Sequence, residues 1–166
     1  MSSGLRQFIT GSLCFFSMCL PETLLADNKV EISQSSASPH VRYVSGGISY
    51  LEQLLNGHWV DRDLAIGEGA GRHAWTGDAF GIRIKSDPND TTAGVRLDKW
   101  RFVSTSENAG GRTGEHEAVV QLASTTRPIT LKVHTLLDGT AVLTRWLEIT
   151  NTGQRSVALT QLSVWS

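Results

Sequence analysis

An antiparallel β-sandwich is the fold this sequence predicts, and three observations predict it. Apolar and polar residues alternate at period two: Phe80, Ile82 and Ile84 are separated by Gly81 and Arg83, the pattern of a half-buried strand. Turn signals punctuate the chain at strand spacing, at residues 86–90, at Asp138-Gly139 and at Asn151-Thr152-Gly153. No long helical periodicity follows Gly57. With 166 residues, 40% of them apolar and 19% charged, the chain has material for one core and one domain. Its formal net charge of −1 leaves no basic footprint for nucleic acid or for an anionic membrane.

The N-terminus reads as an address. Arg6 precedes the apolar run from Phe8 to Leu20, Pro21 breaks it, and Leu24-Leu25-Ala26 offers a cleavage site before Asp27. The run is too short to span a bilayer comfortably, and its charged, apolar and small-residue order is that of a secretory signal. The expected layout is a signal peptide over 1–26, a Ser-rich linker over 27–40 and a sandwich domain over 41–166. The protein is then exported, to the periplasm or the outside, with no membrane association after cleavage. Cys14 and Cys19 both lie in the signal, so the mature chain holds no disulfide and no thiolate metal site. Neither follows the small residues that a lipoprotein signal requires.

Residues 41–44 predict a first short strand. Over 46–56, Ile48, Leu51, Leu54 and Leu55 have helix-like spacing that Gly57 would stop, so one short helix or turn is expected near the N-terminus. Residues 59–74 give no clear pattern. Gly67-Glu68-Gly69-Ala70-Gly71-Arg72 looks superficially like a phosphate-cradling loop. It lacks the Lys-Ser/Thr of that motif and any strand–helix frame, so it reads as a loop whose glycines allow close backbone approach. Residues 80–84 form a strand, and the turn after it carries Asn89-Asp90-Thr91, a glycosylation sequon of the kind turns often match by chance. Val95, Leu97, Trp100 and Phe102 mark the next strand, with a bulge near Asp98-Lys99. Residues 104–114 read as a Gly-rich polar connection, and 117–123 as another strand.

The last third reads as three long strands, 130–135, 141–149 and 156–165, joined by two short turns. A two-residue turn at Asp138-Gly139 would set Leu131 opposite Trp146 and Val133 opposite Thr144. It would also set Lys132 opposite Arg145, a like-charge pair, so either that face is open to water or the loop is longer by a residue or two. The total is six or seven strands.

Hydrolysis of a glycoside needs two carboxyl groups poised across a bond, and no such pair is recognisable at strand ends. Glu115-His116-Glu117 is the densest titratable cluster, but on a strand the two glutamates point one way and His116 the other, so they cannot converge on one ion. His40, His58, His73 and His134 have no ligand spacing, and His134 reads as a sheet-surface residue. There is no Gly-x-Ser-x-Gly elbow, and a cysteine nucleophile goes with the signal. The residues alone therefore predict no catalytic group and no metal site. Five of the aromatics are Trp, against five Phe and two Tyr, which suits a sugar-binding cleft or a sandwich core equally.

Two segments carry a resemblance. Asp138-Gly139-Thr140-Ala141-Val142-Leu143-Thr144-Arg145-Trp146-Leu147-Glu148-Ile149-Thr150-Asn151-Thr152-Gly153, with Val157-Ala158-Leu159 and Leu162-Ser163-Val164-Trp165-Ser166, resembles the N-terminal β-supersandwich domain of glycoside hydrolase family 36, a family mainly of α-galactosidases. Trp75-Thr76-Gly77-Asp78 before the strand 80–84 resembles a family loop in which Gly-Asp reaches toward the sugar. The resemblance implies a galactose-mutarotase-like supersandwich, a galactoside-type carbohydrate partner, a capacity to form oligomers and no metal or organic cofactor. It implies Trp75 and Asp78 as substrate contacts. It also implies a following (β/α)8 barrel with two catalytic aspartates in a retaining mechanism, none of which this chain contains. The last strand stops at Trp165-Ser166, so the expectation is a truncated product or fragment, inactive alone. Strand–turn–strand patterns of this kind also serve accessory domains. The alternative is a stand-alone exported sandwich that binds carbohydrate or protein.

Overall fold

The structure, a computed structural model, describes residues 29–33, 38–67, 74, 76–87, 89 and 91–165. The signal-peptide reading of 1–26 lies outside them. Among the described residues every regular element is a strand: β1 (Lys29–Ser33), β2 (His40–Ser45), β3 (Ile48–Leu55), β4 (His58–Ile66), β5 (Gly77–Asp78), β6 (Gly81–Lys85), β7 (Val95–Arg96), β8 (Trp100–Ala109), β9 (His116–Ser124), β10 (Ile129–Leu137), β11 (Leu143–Asn151) and β12 (Ala158–Ser163). They form three antiparallel sheets, ordered β1-β2-β3-β4-β5, β11-β10-β9-β8 and β12-β6-β7.

The alternation that predicted strands also builds the core. On β10 the inward positions are Ile129, Leu131, Val133, Thr135 and Leu137, all buried. They meet Val41, Tyr43, Tyr50 and Trp59 from the five-stranded sheet and Ile82 and Ile84 from the three-stranded one, in a single cluster. One core shared by facing sheets is a sandwich arrangement. Each fully buried aliphatic side chain contributes about 1.5–3 kcal/mol to holding it. Phe80 and Trp100 join the two smaller sheets edge to face, their centroids 5.4 Å apart.

The helix expected over 46–56 is replaced by β3. Its leucines do fall at helical spacing, but Tyr50 and Glu52 take inward positions in a period-two pattern. Two-residue turns bound the strand on both sides, with positive φ at Gly46 and Gly47 (53° and 82°) and at Asn56 and Gly57 (51° and 83°). Such paired values suit the twist of a hairpin. Gly46 is doubly constrained, because a Cβ there would collide with the backbone of Thr140.

Three further expectations change. β1 lies inside the stretch read as linker, and β4 begins at His58 and runs into the unpatterned 59–74. β8 runs on through residues 104–109, read as a connection. As the edge strand of its sheet it is polar by position, and its register shift falls between Phe102 and Ser104 rather than near Asp98-Lys99. The β10–β11 loop comprises residues 138–142, so Leu131 faces Ile149, His134 faces Trp146 and Lys132 faces Glu148. The like-charge pair becomes an ion pair, Lys132 Nζ lying 3.1 Å from Glu148 Oε1. The loop is held by Asp138, whose Oδ1 accepts from the Thr140 amide at 2.9 Å and the Thr140 hydroxyl at 2.6 Å.

The second C-terminal turn is not a hairpin. β12 leaves β11 and pairs with β6, Leu159 facing Ile84 and Ser163 facing Gly81. Asn151 organises the crossing: its Oδ1 accepts from the Gly153 amide at 3.0 Å, and its Nδ2 donates to the Arg155 carbonyl at 2.8 Å. The Thr152 amide donates to the Pro128 carbonyl at 2.7 Å and anchors the arch to the start of β10.

Candidate functional site

Of the two residues implied as sugar contacts, Trp75 lies outside the described residues and Asp78 stands at the edge of the five-stranded sheet. Asp78 ends β5, a two-residue strand fastened to β4 by the pairs Val60–Asp78 and Asp61–Gly77. The next amide, Ala79, donates to the Trp59 carbonyl at 3.0 Å. The half-buried Asp78 carboxylate pairs with the Arg96 guanidinium through Oδ2 and meets His58 Nδ1 at 3.3 Å through Oδ1. Lys99 Nζ stands 2.8 Å from His58 Nε2 and donates to the Asn56 carbonyl at 3.2 Å. Asp78 thus ties the five-stranded sheet to the three-stranded one through β7. A cleft of about 170 Å³ adjoins this locus, lined by Gly81, Ile82, Arg83, Arg96, Gln161 and Ser163. One carboxylate held by a guanidinium can accept hydrogen bonds from a ligand. It is not the pair that acid–base cleavage needs.

A second constellation, unmarked in the sequence, sits inside the sandwich. Glu52 on β3 and Arg145 on β11 have fully buried side chains, with Arg145 Nη1 2.6 Å from Glu52 Oε1. That approach is off the hydrogen-bond direction, so the pair is chiefly Coulombic. Tyr43 and Tyr50 hydroxyls donate to Glu52 Oε2 and Oε1, each at 3.1 Å, and Trp59 Nε1 donates to Oε2 at 3.2 Å. The Tyr50 hydroxyl also contacts Asp61, which is itself buried. Arg145 Nη2 donates to Thr135 Oγ1 at 3.3 Å. Its guanidinium carbon lies 4.1 Å from the ring centroid of Trp165 and 5.5 Å from that of Tyr50.

The electrostatics follow from this packing. Burial first, and the Glu52 charge second, push the Tyr43 and Tyr50 hydroxyls far above the ordinary tyrosine range. Burial alone would lower the Arg145 pKa, but Glu52 outweighs it and holds the guanidinium charged. Two carboxylates bridged by a tyrosine hydroxyl inside a closed core cannot flank a substrate. The cluster ties β2, β3 and β4 of one sheet to β10 and β11 of another. Sequence reasoning missed it because residues 46–56 read as helix. On a strand, Glu52 shares a face with Tyr50, and that alternation was the available signal.

The titratable cluster on β9 comes apart. Glu115 Oε2 accepts from the Arg112 amide at 2.8 Å in the preceding turn, His116 Nδ1 meets Glu107 Oε1 at 2.8 Å, and Glu117 Oε1 meets His134 Nδ1 at 2.8 Å. Among the described residues no group of three or more His, Cys, Asp or Glu could hold a metal ion. His134 is more than a surface residue: its ring stacks on Trp146, centroids 4.8 Å apart at 11°, and Nε2 lies 3.5 Å from Glu148 Oε2.

Fold and sites together define an all-β antiparallel sandwich with a buried charged centre and a small cationic cleft on one flank. No protein-family model, no curated protein and no solved structure matches the chain.

Proposed function

We propose that this chain is the non-catalytic N-terminal sandwich portion of an exported α-galactosidase-like glycoside hydrolase. In this reading it adopts a galactose-mutarotase-like supersandwich, packs against a (β/α)8 barrel and shapes one wall of the sugar site through Asp78 and Trp75. The observation that carries the reading is the apolar surface at β12. Leu159 and Leu162 are 50% and 45% exposed on a strand that has no charged residue. Exposed leucines on an uncharged edge strand call for a covering body. The distribution of carboxylates agrees: Glu52 and Asp61 are closed inside the core, and Asp78 is engaged by Arg96.

A second reading, a stand-alone exported module that binds glycan, is favoured by Trp146. This ring is 40% exposed and stacked on one face by His134. β11 is an edge strand, so no neighbouring strand covers the other face. Sugars stack on such aromatic faces. Purified chain separates the two readings. Self-association that Leu162→Lys suppresses, without glycan binding, is expected from the first. A folded monomer that binds neutral galactosides and loses them in Trp146→Ala would support the second and contradict the first.

A further inference from the structure

The cleft over Gly81 has an unusual wall. β6 and β7 set Arg83 and Arg96 directly opposite each other, and both side chains line the same depression. Like charges across a strand pair repel, so a sheet that keeps them there gains from a negative charge between them. Asp78 supplies part of that charge, but it engages Arg96 from the β5 side. Arg83, Arg96 and Asp78 together leave one positive charge over the cleft. A guanidinium carries five N–H donors in a planar fork. Among the described residues, Arg83 uses one in a long bond to the Gly94 carbonyl at 3.4 Å, and Arg96 one on Asp78.

The rest of the lining fits the same ligand. Gln161 on β12 pairs with Arg83, which adds an amide to the two guanidinium groups, while Ser163 pairs with Gly81 and turns its hydroxyl to the Trp165 carbonyl. The floor is Gly81, whose missing side chain is what opens the depression. A Cβ there would meet only Ser163 Cβ, at an ordinary 3.4 Å, and no positive φ demands glycine. The glycine therefore serves space rather than backbone conformation.

We infer that this cleft binds an oxyanion, a carboxylate or sulfate group carried by a saccharide, gripped between Arg83 and Arg96 with the Gln161 amide as a further donor. Paired guanidinium forks match the oxygen geometry of such groups. The oxyanion part stands on the cleft alone, and the saccharide part rests on the carbohydrate reading above.

The test is an NMR titration of the full chain, following the Gly81 amide and the Arg83 and Arg96 Nε–H signals. Sodium sulfate is compared with sodium chloride at matched ionic strength, and galacturonate with galactose and acetate. Saturable shifts with sulfate and galacturonate, and none with chloride or galactose, are expected. Arg83→Gln leaves the Arg96–Asp78 pair in place, and Gly81→Val fills the floor. Each, shown folded by circular dichroism, is expected to weaken binding about tenfold or more. Absence of a saturable response, or a response unchanged in both variants, would overturn the site. Galacturonate binding no tighter than acetate would overturn the saccharide assignment while leaving the oxyanion site. A galactose response elsewhere on the chain speaks to the carbohydrate reading and not to this cleft.

Discussion

Arg145 is the residue on which the interior turns. Its charge is buried beside the Glu52 carboxylate, which the Tyr43 and Tyr50 hydroxyls hold in place by donating to it. Removing one partner of a buried pair leaves an uncompensated charge, so Arg145→Met is expected to cost about 3–5 kcal/mol. The double variant Arg145→Met/Glu52→Leu is expected to recover part of that, and urea denaturation of both measures it. At the surface, the hydrogen bond from Lys132 holds the Glu148 carboxyl below its ordinary 4.5. A depressed carboxylate contributes stability above its unfolded pKa and loses it as pH falls through the lower folded value. Lys132→Met is therefore expected to lower the melting temperature slightly at pH 7, where the contribution is present, and to leave it unchanged at acid pH once Glu148 is protonated, so the fall of melting temperature below pH 4.5 becomes shallower. Little of this was legible in the sequence. Glu148 opposite Lys132 depends on a loop length that local sequence leaves open, and Glu52 was hidden by the helical spacing of its leucines.

At the scale of elements, strands whose alternation is complete were legible. β6, β9 and β10 stand close to where their periodicity puts them. β3 was not, because leucines at 51, 54 and 55 imitate a helical stripe. The informative signal there was the pair of glycine turns around it. Gly46 and Gly47 both have positive φ, but only Gly46 lies against the Thr140 backbone. Gly47→Ala is expected to cost about 1–2 kcal/mol for the left-handed backbone alone. Gly46→Ala should cost clearly more, and thermal unfolding of the two variants compares them. The destination of β12 was illegible for another reason. Its own sequence says strand, but whether it folds back on β11 or crosses to β6 is decided by a pairing with residues far away in the chain. Asn151 and Pro128 fix the arch that makes the crossing.

For the whole molecule, three sheets close over one core while β12 leaves two leucines exposed on one flank, and the proposed role grows from that contrast. The sandwich class was readable from alternation and turns, whereas the packing of its sheets and the cationic cleft emerge only when distant strands meet. The exposed Leu159 and Leu162 predict self-association of the isolated chain that rises with concentration, and Leu162→Lys should reduce it in analytical ultracentrifugation. The central claim, a wall-forming sandwich that works with a catalytic barrel, is tested most directly by sequencing the coding DNA downstream of Ser166. A (β/α)8 barrel sequence with two aspartates at strand ends is the predicted result. The absence of any barrel sequence there, in every reading frame, would contradict the account.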